Sequence, residues 1–202
     1  MRAHRPLLAV AAATLALGAT ACGDDAGSEA TNASPAATSG ATASAPPVTA
    51  PPRPRSAPAP LAGLPAFTAG FESWDRLNSE PIPPDSAQTR RVGVDAHRGT
   101  KNVHVSVPRE RLRAGDGQRF PYPEGTIVVK AAGEDPSTPT LVAVMRKVAG
   151  SDPEHGDWEF QEYKRSGTGE AFSTSAGLTG ATCWGCHAIA MDTDWVFTTL
   201  DR

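Results

Sequence analysis

Thr126-Ile127-Val128-Val129-Lys130-Ala131 opens with four β-branched residues in succession, a composition that fits a pleated, half-buried strand. Side chains of a strand alternate between its faces, so Thr126, Val128 and Lys130 share one of them. Residues 140–148 and 158–163 are similarly rich in β-branched or aromatic side chains, and Val103, Val105 and Val107 alternate with polar neighbours. Three turn-forming clusters separate these runs: Ala114-Gly115-Asp116-Gly117, Gly133-Glu134-Asp135-Pro136 and Gly150-Ser151-Asp152-Pro153. The intervals are too short for crossover helices, so the strands must be antiparallel and meander-like. Upstream, Phe67, Phe71 and Trp74 recur at helical spacing, which predicts a helix ending before Pro81. The expected class is α+β, a mainly antiparallel β-sheet with flanking helices.

The rest of the chain is a different material. All 12 aromatic residues lie at or beyond Phe67, whereas 9 of the 19 prolines lie at or before Pro60. Residues 1–21 read as a leader, with Arg2 and Arg5 followed by a 15-residue apolar run over 7–21. That run is shorter than the ~20 residues of a membrane span and suits a secretory signal. Ala19-Thr20-Ala21 leads directly into Cys22, which resembles the lipobox of bacterial lipoproteins, whose cysteine is acylated. A plain signal cleaved before a free Cys22 is the alternative. Residues 22–62 are dominated by Ala, Ser, Thr, Pro and Gly and bury too little apolar surface to offset their ordering entropy, so they read as a disordered tether. Residues 63–202 form the folded domain. The expected location is the outer face of the cytoplasmic membrane or the periplasm. With 19 basic and 22 acidic residues and no basic stripe, the chain has no electrostatic footprint for nucleic acid.

Cys183-Trp184-Gly185-Cys186-His187 carries the chemistry. C-x-x-C-H is the attachment sequence of a c-type haem. Two thiols on one helical turn can each add to a haem vinyl group, and the following imidazole becomes the proximal iron ligand. A zinc site would need partner ligands, yet there is no second cysteine pair, and His97, His104 and His155 are scattered. A thioredoxin-like pair belongs early in a βαβ context, whereas this one stands near the end of the chain. Met191 lies on the same helical side as His187 and cannot cross to the far side of a haem; Met145, in an apolar strand, reads as core. These positions favour an open distal site, and the strand periodicity argues against a four-helix bundle.

Pro123-Glu124-Gly125-Thr126-Ile127-Val128-Val129-Lys130, Asp157-Trp158, the haem motif and Asp194-Trp195-Val196-Phe197-Thr198 together resemble the cytochrome P-460 family over about residues 64–200. The resemblance implies an antiparallel sheet with flanking helices and a C-terminal haem-attachment helix, haem c bound through Cys183, Cys186 and His187, and a homodimer. It also matches Lys130 to the lysine that such proteins cross-link to a haem meso carbon. Relatives of the cytochrome c′-beta type bind nitric oxide, and others oxidise hydroxylamine with a carboxylate in the distal pocket. Here residues 178–182 contain no acid, and Asp192 and Asp194 follow His187 too closely to reach far into that side. Phe120, Tyr122, Trp158 and Phe160 are candidates either for an apolar distal wall or for sheet core. An apolar wall would favour binding a neutral diatomic over proton-coupled oxidation. Three functions are expected from this: oxidation of hydroxylamine or a related nitrogen compound, gas binding without turnover, and membrane-tethered one-electron transfer.

Overall fold

A computed structural model describes residues 58–201. The leader, Cys22 and most of the tether lie outside the described residues. Among the described residues eight strands follow one another: β1 (Asp75–Arg76), β2 (Thr100–Val105), β3 (Arg113–Ala114), β4 (Gly117–Gln118), β5 (Ile127–Gly133), β6 (Leu141–Lys147), β7 (Trp158–Lys164) and β8 (Ser173–Thr179). The α-helices are α1 (Ala87–Val92), α2 (Arg109–Leu112) and α3 (Ala181–His187). Six strands make one sheet in the order β1-β2-β5-β6-β7-β8, every neighbouring pair antiparallel. From β5 onward this is a meander; the predicted turns at 133–136 and 150–153 are its β5–β6 and β6–β7 corners, while 114–117 turns the separate two-stranded β3-β4 sheet. The fold is α+β, as the strand pattern required. Among the described residues, no helix is long and apolar enough to cross a membrane.

Register divides the sheet into two unlike faces. Val128 stands opposite Val105 and Met145, Met145 opposite Phe160, and Lys130 opposite Val103 and Ala143, which is itself opposite Glu162. These side chains share one face. Part of that face packs with Leu77, Leu112, Tyr122, Trp158, Trp195 and Val196 into a core. The alternate residues Val129, Ala131, Val142 and Val144 face the other way and are sealed by Leu64, Phe71 and Phe172. Residues 58–62 run along this side: Leu61 packs against the second cluster, and the Phe172 N–H donates to the Ala62 carbonyl at 2.8 Å.

The predicted helix through Phe67, Phe71 and Trp74 does not form. Two short 3-10 turns, Ala66–Thr68 and Phe71–Ser73, stand there instead, with Gly70 between them at φ 71°. The left-handed glycine ends one turn and re-aims the next, so Phe71 is buried while Phe67 stays exposed. Apolar spacing alone could not reveal that break.

Candidate haem site

Helix α3 begins after Gly180 and carries the C-x-x-C-H sequence through to its last residue. Cys183 and Cys186 are three apart and therefore neighbours on one helix face; both are unbridged. Cys183 is half-buried, and burial pushes its thiol pKa up, with Glu162 and Cys186 adding to the shift. At neutral pH it is a protonated thiol, not a metal-seeking thiolate.

His187 is buried, and its Nδ1 lies 2.6 Å from the Trp195 carbonyl. A carbonyl only accepts, so Nδ1 carries the proton and Nε2 keeps its lone pair. The rings of Phe160 and Phe197 meet the imidazole edge-to-face at 5.1 and 5.0 Å. Burial, reinforced by the charge of Lys130, lowers its pKa to about 3 and keeps it neutral. This is the protonation state and orientation of a neutral imidazole ligand with its second nitrogen fixed by a backbone carbonyl.

The carbonyl that orients His187 is itself held by design of the local chain. Asp194 and Trp195 both adopt left-handed backbone, φ 53° and 67°, a conformation that non-glycine residues keep only when their surroundings fix it. Asp194 accepts a hydrogen bond from the Tyr122 N–H at 2.8 Å and pairs with Lys147 Nζ at 2.7 Å. Lys147 also donates to the Gly156 carbonyl at 2.8 Å. The buried ion pair thus pins the turn that aims Trp195 at His187.

Between α3, α1 and the segment 94–97 lies a cleft whose floor is the first sheet face. It encloses about 1030 Å³ of empty space, part of it open to solvent, and its lining includes Cys183, Cys186, His187, Lys130, Met145 and Phe160. Lys130 is among the residues that line it. Burial lowers the Lys130 pKa to about 8, Lys101 adding to the shift and Asp95 opposing it. Its ammonium stands 5.9 Å from the centre of the Phe197 ring.

The structure therefore brings together the four residues on which the sequence centred: Cys183, Cys186, His187 and Lys130. Of the aromatic candidates, Phe160 lines the cleft, while Tyr122 and Trp158 are core. Phe120 packs at that core's edge. Met145 is core and also touches the cleft, and Met191 is exposed. The cleft is not walled by apolar residues alone: Glu162, Asp95, His97 and Lys101 line it too, and both acids lie outside the acid-free stretch 178–182. Glu162 was within reach of the sequence, because Trp158, Phe160 and Glu162 are alternate residues of one strand. His97 lies in an aperiodic segment, and no pattern pointed to it. The family model for Cytochrome P460 matches residues 68–198. No curated protein matches the chain.

Proposed function

The chain belongs to the cytochrome P460 family, whose members bind haem, and from that premise we propose an exported, lipid-anchored mono-haem c protein that binds or oxidises small nitrogen compounds at an open iron site. Hydroxylamine and nitric oxide are the leading ligands. The single observation that carries this reading is His187: its Nδ1 is spent on a carbonyl, while its ring lines a cleft shared with both motif cysteines.

The residues present fit a covalently held haem. Two unbridged thiols stand on one turn beside the cleft, and a neutral buried imidazole lies at its wall. Cys183 and Cys186 would form the thioethers and His187 would hold the iron, leaving Lys130 at the floor as the candidate cross-link. When bound, haem iron supplies a Lewis-acidic, redox-active centre for a small ligand. The protein's own part is to orient His187 through Trp195, to exclude bulk water with Phe160, Phe197 and Val128, and to present Lys130 within the cleft. Exposed Met191 supports an iron left without a sulfur ligand from that segment. Cys22 supplies the anchor in this reading, and the family resemblance supports a homodimer.

Ferrous absorption of the holoprotein tests the site. A five-coordinate high-spin spectrum is expected, strongly red-shifted in the Soret if Lys130 is joined to the haem; a six-coordinate low-spin spectrum would instead assign a one-electron carrier. Dye-linked turnover with hydroxylamine then separates oxidation from binding alone.

A further inference from the structure

The polar wall of the cleft holds a second arrangement, distinct from the haem motif. His97 Nδ1 lies 3.1 Å from Glu162 Oε2, and Glu162 Oε1 lies 2.8 Å from Lys164 Nζ. The Glu162 side chain is only 4% exposed, although it occupies an inward sheet position where an apolar residue would pack at no desolvation cost. Burial works against its charge, yet hydrogen bonds from His97 and Lys164 outweigh burial and hold its pKa at about 2. An ionised carboxylate only accepts, so His97 must carry its proton on Nδ1. Its Nε2 therefore bears the lone pair, and Glu162 is its one side-chain hydrogen-bond partner among the described residues.

His97, Glu162, Lys130, Cys183 and His187 line one cleft. We propose that His97 is the proton acceptor for protic nitrogen ligands held in this cleft, with Glu162 as the positioning residue that fixes its tautomer. This rests on the haem-site reading above. In the step assigned to it, a ligand N–H bond breaks, the electron pair stays on nitrogen, and His97 Nε2 takes the proton. The resulting imidazolium stands against the Glu162 carboxylate, and no electron moves. An orienting carboxylate, an imidazole and an open ligand space form the same functional set that serves general-base catalysis elsewhere. Residues 178–182 lack an acid, so the pair provides a base that the stretch before the haem motif does not.

The charged and titratable surroundings of His97 are Glu162 from β7, Lys130 from β5, Lys101 from β2, Cys183, Cys186 and His187 from α3, and Asp95 from its own segment. Burial lowers the His97 pKa, the two lysines add to that, and Glu162 opposes it. The imidazole is thus neutral, and able to accept a proton, at neutral pH.

Stopped-flow association with the ferric holoprotein tests the proposal, using hydrogen cyanide and nitric oxide. Hydrogen cyanide is a carbon acid that must likewise give up its proton for the anion to bind and so probes the same acceptor; nitric oxide has no proton. His97→Gln should slow cyanide association about a hundredfold and leave nitric oxide within twofold. Glu162→Gln keeps an acceptor for Nδ1 but removes the charge. It should shift the acid limb of the cyanide pH profile to lower pH, an effect that packing alone would not produce. Equal slowing of both ligands, or no change for cyanide, would overturn the assignment to His97 while leaving the open site intact. A wild-type holoprotein that bound neither ligand would overturn both readings.

Discussion

The two faces of the central sheet are built from the same strands and obey different rules. On one, Val129, Ala131, Val142 and Val144 meet Leu64, Phe71 and Phe172 in a continuous apolar contact. On the other, one residue along each strand, Lys101, Lys130 and Glu162 stand among valines and phenylalanine. Burial of a lysine or glutamate is unfavourable unless something is gained from the charge. The sealed face shows what this sequence does when it needs only stability. The cleft face therefore marks where it departs from packing for chemistry, and Lys130 beside Val129 is the narrowest place to see the change.

The largest expected effect breaks the sealed face. Val142→Asp places an unpaired charge among fully buried side chains and should cost about 4 kcal/mol or unfold the domain outright. Lys130→Met, one strand away on the cleft face, should leave thermal stability unchanged or raise it. Paired denaturant melts check both. Equal loss from the two would mean that the faces do not differ in the way proposed. Asp194→Ala comes next: it strands Lys147 in a buried site and releases the turn behind Trp195, at about 3 kcal/mol. Absorption of the ferrous holoprotein should change with it, because the His187 Nδ1 acceptor loses its fixed place; an unaltered spectrum would detach Asp194 from the orientation of His187.

Titration sharpens the comparison, because each face holds a base whose pKa burial lowers. His104, on the sealed side with its ring 5.4 Å from that of Phe71, has its pKa lowered by burial to about 4. Between pH 4 and 6.5 the unfolded chain binds a proton that folded His104 does not, so this group removes stability as pH falls through that window. Lys130 acts at the alkaline end. Its folded pKa of about 8 lies below the ordinary value of 10.5, so the unfolded chain binds more protons between them and stability rises with pH across that range. With solvent in the cleft taken into account, the gain is about 2 kcal/mol. Melting temperatures of haem-free protein from pH 4 to 10 should show both slopes. His104→Leu should flatten the acid one and Lys130→Met the alkaline one; a slope untouched by its own substitution would remove that group as its source.

Strands β5, β6 and β7 were legible because runs rich in β-branched or aromatic residues and Gly-, Asp- and Pro-rich corners agree along that stretch. Strand β8 was not: Ser-Thr-Ser-Ala-Gly-Leu-Thr over Ser173–Thr179 lacks the composition of a strand, is largely exposed, and owes its shape to pairing with β7 through an irregularity between Gln161 and Tyr163. Helix α1 is six residues long, too short for an apolar period to register; the Thr89 N–H donates to the Ser86 side chain at its start. In the site, Cys183, Cys186 and His187 were legible from spacing, and Lys130 from strand alternation together with family likeness. His97 reaches the cleft only through tertiary placement of an irregular segment, which no local pattern encodes.

The smallest effect concerns the wall that closes the cleft face. Trp184, inside the haem motif, stacks on His155 with centroids 3.9 Å apart and planes 17° from parallel. His155 also meets Trp195 edge-to-face at 5.2 Å, and its Nδ1 lies 2.8 Å from Asp152. The stack braces α3 from the 3-10 turn Pro153–His155, outside the cleft. His155→Ala should therefore cost about 1 kcal/mol, a fall of a few degrees in the melting temperature, while His155→Phe keeps the stack and should cost less. Neither should alter the ligand-binding rates of the holoprotein, because the cleft is shaped by the sheet floor and by the Asp194 turn. If His155→Ala changed those rates as strongly as stability, the division between a packed scaffold and a separately built cleft would fail at α3.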